Sequence, residues 1–232
     1  MKRLLVLGVC ALLVGCAAAT KPSAAPQPAL TVVTRDEWGS KPQPMPEAWK
    51  QVPKLITIHH AGTLWKPGTD PFNSMRGLQK FSQTEKKWPD VPYHYIIAPD
   101  GRVFEGRDWH YQPESNTKYD LSGVLNIELM GNFEEQRVST EQLRSTVLLI
   151  AKLCTDLKLD PATIRGHRDA APGQTVCPGR DFYRYIADGS IRSWVEQTLR
   201  GEVADIVEKP ELPDGPTTRI STAPATQTSQ KE

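Results

Sequence analysis

Short apolar runs bounded by turn residues recur along this chain, at lengths typical of buried strands. The tripeptide Pro99-Asp100-Gly101 separates two of these runs, and such a turn predicts a β-hairpin. The run at residues 123–131 alternates poorly between apolar and polar positions, which favours a central strand of a sheet. The predicted strands are residues 30–33, 54–59, 91–98, 102–105 and 123–131.

Amphipathic stretches predict the helices. Asp70-Pro71 offers an N-cap and a first-turn proline ahead of an apolar stripe that runs to about residue 87. Ser139 and Gln142 have the spacing of a capping box, and they open a second amphipathic stretch that ends near residue 157. Two terminal helices are predicted at residues 181–186 and 191–199.

The two ends of the chain do not have the composition of a folded domain. Residues 1–15 combine Lys2-Arg3 with an apolar stretch and small residues, which is the pattern of a secretory signal peptide. The four residues that end at Cys16 resemble the bacterial lipoprotein processing box, in which the cysteine is acylated. We therefore expect residues 16–29 to be a lipidated tether; the alternative is an ordinary cleaved signal, which would release a soluble protein. Residues 201–232 are rich in Pro, Thr and Ser and are predicted to be a disordered tail.

Charge and cysteine content narrow the function. The formal net charge is +1 and no basic run interleaved with aromatic residues occurs, so nucleic acid is excluded as a partner. Cys10 would be removed with the signal and Cys16 would carry lipid, which leaves Cys154 and Cys177 in the folded part. A disulfide between these two is one alternative in an oxidising compartment. The position of Cys154 on the apolar face of a predicted helix favours instead an inert buried thiol and a metal-bound Cys177.

Residues 166–179 form a loop with Gly and Pro at both ends, and the loop carries His167 and Cys177. Gly and Pro hold the backbone in tight turns, so this segment can keep two side chains at a set separation. A third donor is available in the pair His59-His60, which ends a predicted strand. Two imidazoles, one thiolate and an open position are typical of a catalytic zinc ion. Spacing alone does not choose between His59 and His60.

Six short motifs extend this pattern. They resemble, in order, the motifs of the type 2 N-acetylmuramoyl-L-alanine amidases, a zinc family that includes peptidoglycan recognition proteins and phage amidase lysozymes. Each motif is loose by itself, but together they cover roughly His59 to Gly179. The motifs are Thr57-Ile58-His59-His60-Ala61, Val91-Pro92-Tyr93-His94-Tyr95-Ile96-Ile97, Asp100-Gly101, Asn126-Ile127-Glu128-Leu129, Gly166-His167-Arg168-Asp169 and Cys177-Pro178-Gly179.

The resemblance implies a single α/β domain over residues 30–200, with a central mixed β-sheet flanked by helices. It also implies that His59, His167 and Cys177 bind Zn²⁺. His60 would then point to the other face of its strand and serve in packing or support.

The same resemblance implies hydrolysis of the amide between N-acetylmuramic acid and L-alanine in peptidoglycan or its fragments. Glu128 matches the carboxylate that moves the proton, and Tyr93 matches a tyrosine that holds the water or the oxyanion. Thr175 stands where some members have a lysine, and a hydroxyl there can donate a hydrogen bond without adding charge. The segment 112–120 lacks the histidine that many members have beside the site, so little substrate contact is expected from it.

These observations predict a monomeric zinc amidase of the cell envelope that acts on peptidoglycan or muropeptides. Acylated Cys16 would hold it on a lipid bilayer, and Ala17 after that cysteine favours the periplasmic face of an outer membrane. Two rival hypotheses remain. One is a module that binds peptidoglycan without cleaving it, and the other is a structural domain with a Cys154–Cys177 disulfide and no metal.

Overall fold

The computed structural model describes residues 29–223 as helices, strands and ordered connections. The predicted signal peptide, Cys16 and nearly all of the predicted tether lie outside the described residues. The strands are β1 (Val32–Val33), β2 (Leu55–His60), β3 (Tyr95–Ile97), β4 (Val103–Glu105), β5 (Val124–Leu129) and β6 (Arg165–Gly166). The helices are α1 (Arg35–Trp38), α2 (Pro71–Thr84), α3 (Thr140–Leu157), α4 (His167–Ala170), α5 (Arg180–Ala187) and α6 (Ser190–Leu199).

Six strands form one mixed sheet in the order β1-β4-β3-β5-β2-β6. Neighbouring strands are parallel except for β3 and β4, which form the antiparallel hairpin predicted around Pro99-Asp100-Gly101. Strand β5 lies inside the sheet between β3 and β2, as its poor alternation between apolar and polar positions indicated. The predicted single domain with a central mixed sheet flanked by helices is therefore confirmed.

Helices cover both faces of the sheet. Helices α3, α5 and α6 pack on one face, where Leu125, Ile127 and Leu129 of β5 join the larger of the two apolar clusters. Trp38 of α1 and Met75 of α2 belong to a second cluster on the other face. Each buried side chain of this size contributes roughly 1.5–3 kcal/mol, so the two clusters together hold the three layers in place.

The predicted capping signals are present. The Ser139 side chain accepts from the Gln142 backbone and the Gln142 side chain reaches back, so α3 begins with a complete capping box. Asp70 caps α2 by accepting from the amides of Phe72 and Asn73, and Pro71 is the first helical residue. Helix α2 ends at Thr84, before the predicted residue 87, and Lys87 has a positive φ of 59°. Within residues 29–223, no helix is both long and apolar enough to cross a bilayer.

The segment after α6 differs from the prediction of a disordered tail. Residues 201–223 contain neither helix nor strand, yet they lie against the domain. Ile220 is only 5% exposed and belongs to the larger apolar cluster. Arg137, also 5% exposed, donates to the Lys209 carbonyl at 2.6 Å and forms an ion pair with Glu211 at 3.2 Å. Apolar contacts of Ile220 and Ile206 and the buried guanidinium of Arg137 attach this segment, although its composition contains few large apolar residues. Residues 224–232 lie outside the described part of the chain.

Candidate metal and catalytic site

The register of two central strands brings the first site residues together. His59 of β2 pairs in parallel register with Glu128 of β5, so both side chains point to the same face of the sheet. His60 points to the opposite face, as predicted, where its Nδ1 accepts from the Phe133 amide at 3.1 Å. Because parallel strands end at one edge of the sheet, these side chains lie at the mouth of a cleft of about 740 Å³.

The loop between β6 and α5 supplies the other two donors. His167 begins α4 directly after β6, and β6 pairs with β2. Cys177 lies near the other end of the loop, which folds back and brings this residue close to His167. The Arg168 amide donates to the Cys177 carbonyl at 2.8 Å, which closes the loop. Gly179 has a φ of 86°, and a Cβ there would lie 2.5 Å from the carbonyl carbon of Phe133. Only glycine allows the loop to pass this close to the neighbouring backbone.

Three predicted ligands meet in this place. Donor atoms of His59, His167 and Cys177 all lie within 4.8 Å of one another, and all three side chains are buried. His59 Nδ1 lies 3.8 Å from Cys177 Sγ. Tetrahedral zinc with bonds of about 2.0–2.1 Å to nitrogen and 2.3 Å to sulfur would place its ligand atoms about 3.6 Å apart. The spacing and the donor set therefore fit one divalent ion of the zinc type.

The protonation states of the two imidazoles suit metal binding. Burial, together with the nearby His167, holds the pKa of His59 well below its usual value. Burial likewise lowers the pKa of His167 to about 4, with a further contribution from Arg165. Both rings are therefore neutral at pH 7, and each keeps a lone pair for an ion.

The thiol of Cys177 behaves differently. Burial raises its pKa to about 12 without a metal, so the sulfur keeps its proton at neutral pH until a cation displaces it. The His60 backbone amide lies 3.3 Å from the sulfur and donates to it, which favours the thiolate. Cys154 and Cys177 are both free, so the hypothesis of a disulfide between them is not supported.

Glu128 and Tyr93 stand beside the three donors. Glu128 is 4% exposed, and burial raises its pKa to about 8, while the neighbouring Tyr93 hydroxyl lowers it in part. Burial and the Glu128 charge raise the pKa of Tyr93 well above its usual value, so this hydroxyl stays protonated and can donate. The Tyr93 ring lies 5.2 Å from the His59 ring, and both residues line the cleft.

Thr175 lies on the cleft wall, inside the ligand loop. Its Oγ1 accepts from the Cys177 amide at 3.0 Å, so the hydroxyl helps to shape the loop. The hydroxyl hydrogen is left for donation towards the cleft.

The segment 112–120 contacts the site more closely than its lack of a histidine indicated. Glu114, Ser115, Asn116 and Thr117 line the cleft, and the Thr117 hydroxyl lies 2.6 Å from His167 Nε2. No sequence signal marked Thr117, because a threonine in an irregular segment is common and its neighbour His167 is 50 residues away. By contrast His110 is exposed and pairs with Asp108.

This fold and cleft define an amidase and peptidoglycan-recognition type of domain, and comparison with known proteins agrees. Residues 49–180 match the N-acetylmuramoyl-L-alanine amidase family, and the chain belongs to that family. The peptidoglycan-recognition protein SD of Drosophila simulans is 30% identical over 161 residues, which are 67% of this chain and 83% of the relative.

Two solved structures share the fold. Drosophila peptidoglycan recognition protein SD aligns with a TM-score of 0.61 at 27% identity, over 77% of this chain and all of that one. Human PGRP-IBETAC, solved in complex with glycosamyl muramyl pentapeptide, aligns with a TM-score of 0.59 at 25% identity, over 67% of this chain and 94% of that one. Membership of the family connects this domain with peptidoglycan binding or amide hydrolysis in general.

Proposed function

We propose that this protein is a zinc-dependent amidase that hydrolyses the bond between N-acetylmuramic acid and L-alanine in peptidoglycan or its fragments. The observation that carries the proposal is the convergence of His59, His167 and Cys177 next to the buried acid Glu128. A module that only binds its ligand has no need of three metal donors with a proton carrier beside them. The complex of human PGRP-IBETAC with a muramyl pentapeptide supports the same class of ligand.

His59, His167 and Cys177 would hold the ion. When bound, zinc would polarise the substrate carbonyl and lower the pKa of a water molecule, which makes a nucleophile available near neutral pH. The positive charge of the bound ion would favour the ionised form of Glu128, and this carboxylate would accept the proton that the water loses as the carbon–oxygen bond forms. The same carboxyl would then give that proton to the alanine nitrogen as the carbon–nitrogen bond breaks, so the products are a lactyl carboxylate and a free amine.

Two hydroxyl groups would assist the hydrolysis of the amide. Tyr93 keeps its proton and lies beside His59 and Glu128, so it can donate to the water or to the developing oxyanion. Thr175 can donate from the opposite loop but brings no positive charge. We therefore expect Tyr93 and Thr175 to tune the rate, while Glu128 is required for the proton transfer.

The direct test is product analysis by mass spectrometry. Purified protein with one equivalent of zinc is incubated with soluble muropeptides and, in parallel, with intact peptidoglycan. We expect free stem peptides that begin with L-alanine and glycans that keep an intact lactyl group, and we expect a chelator to stop their release. If the protein binds zinc and muropeptide but releases no peptide from either substrate, the enzyme proposal is wrong and recognition without cleavage takes its place.

We further propose that the enzyme is anchored in the cell envelope by lipid on Cys16, at the periplasmic face of the outer membrane. The support is the processing box that ends at Cys16, the preceding signal pattern and Ala17. Several acyl chains on one cysteine would give stable attachment, since one chain alone is marginal.

The anchor can be tested by replacing the acylated residue. In cells of a bacterium with two membranes, Cys16→Ala should move nearly all of the protein to the soluble fraction and stop labelling by radioactive palmitate. Its activity on soluble muropeptides should stay unchanged. Cys10→Ala is the matched control, because this cysteine would be removed with the signal, and it should leave lipidation intact. Retention of Cys16→Ala in the membrane fraction would contradict the proposal.

A further inference from the structure

Each imidazole of the candidate metal site has a second ring nitrogen, which needs a hydrogen-bond partner of its own. A neutral histidine carries its proton on one ring nitrogen and offers a lone pair on the other. The hydrogen-bond partner of the protonated nitrogen determines which of the two tautomers forms. In His59, Nδ1 faces the sulfur of Cys177, so Nε2 is the outer nitrogen. In His167, Nε2 contacts a hydroxyl, which leaves Nδ1 for the ion.

The hydroxyl that meets His167 belongs to Thr117, and the structure holds it in place. Thr117 Oγ1 lies 2.6 Å from His167 Nε2 and 2.9 Å from Ser115 Oγ. The Gln174 side chain attaches this segment to the ligand loop at two points. It accepts from the Lys118 amide at 2.8 Å and donates to the Lys118 carbonyl at 3.0 Å. Thr117 is therefore fixed over His167 by a residue that lies between the two loop ligands.

Asn126 occupies the corresponding position beside His59. Its side chain is fully buried on β5 and points to the same face of the sheet as His59, because Asn126 lies two residues before Glu128, the residue that pairs with His59. Among the described residues, His59 Nε2, both polar atoms of the Asn126 amide and the Tyr119 hydroxyl are buried without a hydrogen-bond partner. Buried polar atoms without partners are costly, so these groups are expected to satisfy one another.

These side chains form one polar cluster. The Tyr119 ring lies 5.5 Å from the His167 ring, and Ser115 contacts Thr117 at 2.9 Å, so the cluster extends from His167 to His59 through four side chains. We propose that Thr117 and Asn126 are positioning residues that accept the Nε2 protons of His167 and His59. Both rings are thereby held in the tautomer that presents Nδ1 to the ion. The inference rests on the metal site of the proposed function, but it does not require that the protein hydrolyse anything.

The test compares zinc affinity and the tautomer of His167 in matched variants. Thr117→Val keeps the shape of the side chain and removes the hydroxyl, and its position is only partly buried, so the variant should fold. We expect its zinc dissociation constant to rise about 10–100-fold, the effect typical of losing a partner of a ligand. Thr117→Ser should restore the affinity to within about threefold of the original protein, an expectation that follows from the same hydrogen bond being kept. Thr63→Val is the control, because this exposed threonine lines the same cleft, and it should not change zinc binding.

A spectroscopic readout separates positioning from a general loss of structure. Long-range ¹H–¹⁵N spectra of the metal-free protein should show His167 as the Nε2–H tautomer, and Thr117→Val should show a mixture or the Nδ1–H form. Asn126→Leu should have the corresponding effect on His59. If wild-type protein binds zinc while Thr117→Val binds it equally well and keeps its tautomer, the inference is wrong. If the wild-type protein itself binds no zinc, the proposed function fails instead.

Discussion

Replacing Cys177 with serine is expected to remove tight zinc binding and, with it, amidase activity. A serine hydroxyl keeps its proton near neutral pH and is a poor zinc ligand, so only His59 and His167 would remain as donors. We expect zinc affinity to fall on the order of 10³-fold or more, which corresponds to about 4 kcal/mol or more. Chelator competition measures the dissociation constant, and peptide release at saturating muropeptide measures the activity.

Cys154 provides the control for that experiment. It is the other free cysteine in the described residues, it is buried on α3, and it is not among the converged donors. Cys154→Ala should lower stability modestly, through a small cavity, and leave zinc affinity unchanged. Equal zinc affinity in Cys177→Ser and the unaltered protein would contradict the ligand assignment.

Replacing Glu128 with glutamine should separate catalysis from metal binding. The amide has nearly the same shape but cannot take a proton from water, so kcat should fall about 10²–10⁴-fold. Zinc affinity should remain within about tenfold of wild type, since a change beside the ligands has at most outer-shell effects. Glu114→Gln is the control, because Glu114 lines the same cleft and is paired with the buried Arg107. It should reduce stability more than rate, and a loss of zinc in Glu128→Gln as large as in Cys177→Ser would show that Glu128 is structural.

The same substitution should change the pH dependence of stability in the metal-free protein. Burial raises the pKa of Glu128 from 4.5 to about 8 in the folded state, so folding favours the protonated acid. The stabilisation is fully present below pH 4.5 and is lost as the pH rises to about 8. Glutamine is neutral throughout, so Glu128→Gln should gain on wild type by roughly 1.4 kcal/mol per pH unit within this window.

Urea unfolding at pH 4.5, 6 and 7.5, in the presence of a chelator, measures that difference. The lowered pKa values of the site histidines act in the opposite direction, but they are common to both proteins and cancel. A constant difference in unfolding free energy across the three pH values would contradict the raised pKa of Glu128.

Local signals in the sequence identified most of the fold. The capping box at Ser139, the Asp70-Pro71 start of α2 and the turn at Asp100-Gly101 each act over three or four residues. Such interactions are present in the sequence itself, so they can be read without coordinates. The packing of residues 201–223 could not be predicted, because it depends on Ile220 joining the apolar cluster and on Arg137 contacting the Lys209 carbonyl and the Glu211 carboxylate more than 70 residues away.

The candidate site likewise contains residues that the sequence predicted and residues that it did not. The donor types indicated zinc, and the resemblance to an amidase family selected His59, His167 and Cys177 as ligands and Glu128 as the nearby acid. The positions of Thr117 and Asn126 beside the ring nitrogens could not be predicted. A threonine and an asparagine have many roles, and only the fold shows which atoms they meet.

The sequence by itself determined most of the elements, the order of the motifs and the chemical character of the site, because each depends on residue type and on short spacings. The tertiary structure decided which side chains lie close together in the site. The parallel register of β2 and β5 places His59 beside Glu128. The loop between β6 and α5 folds back and places Cys177 next to His59. Register and loop return depend on the packing of the whole sheet and on its helices, so contacts between residues far apart in the chain appear only in the folded protein.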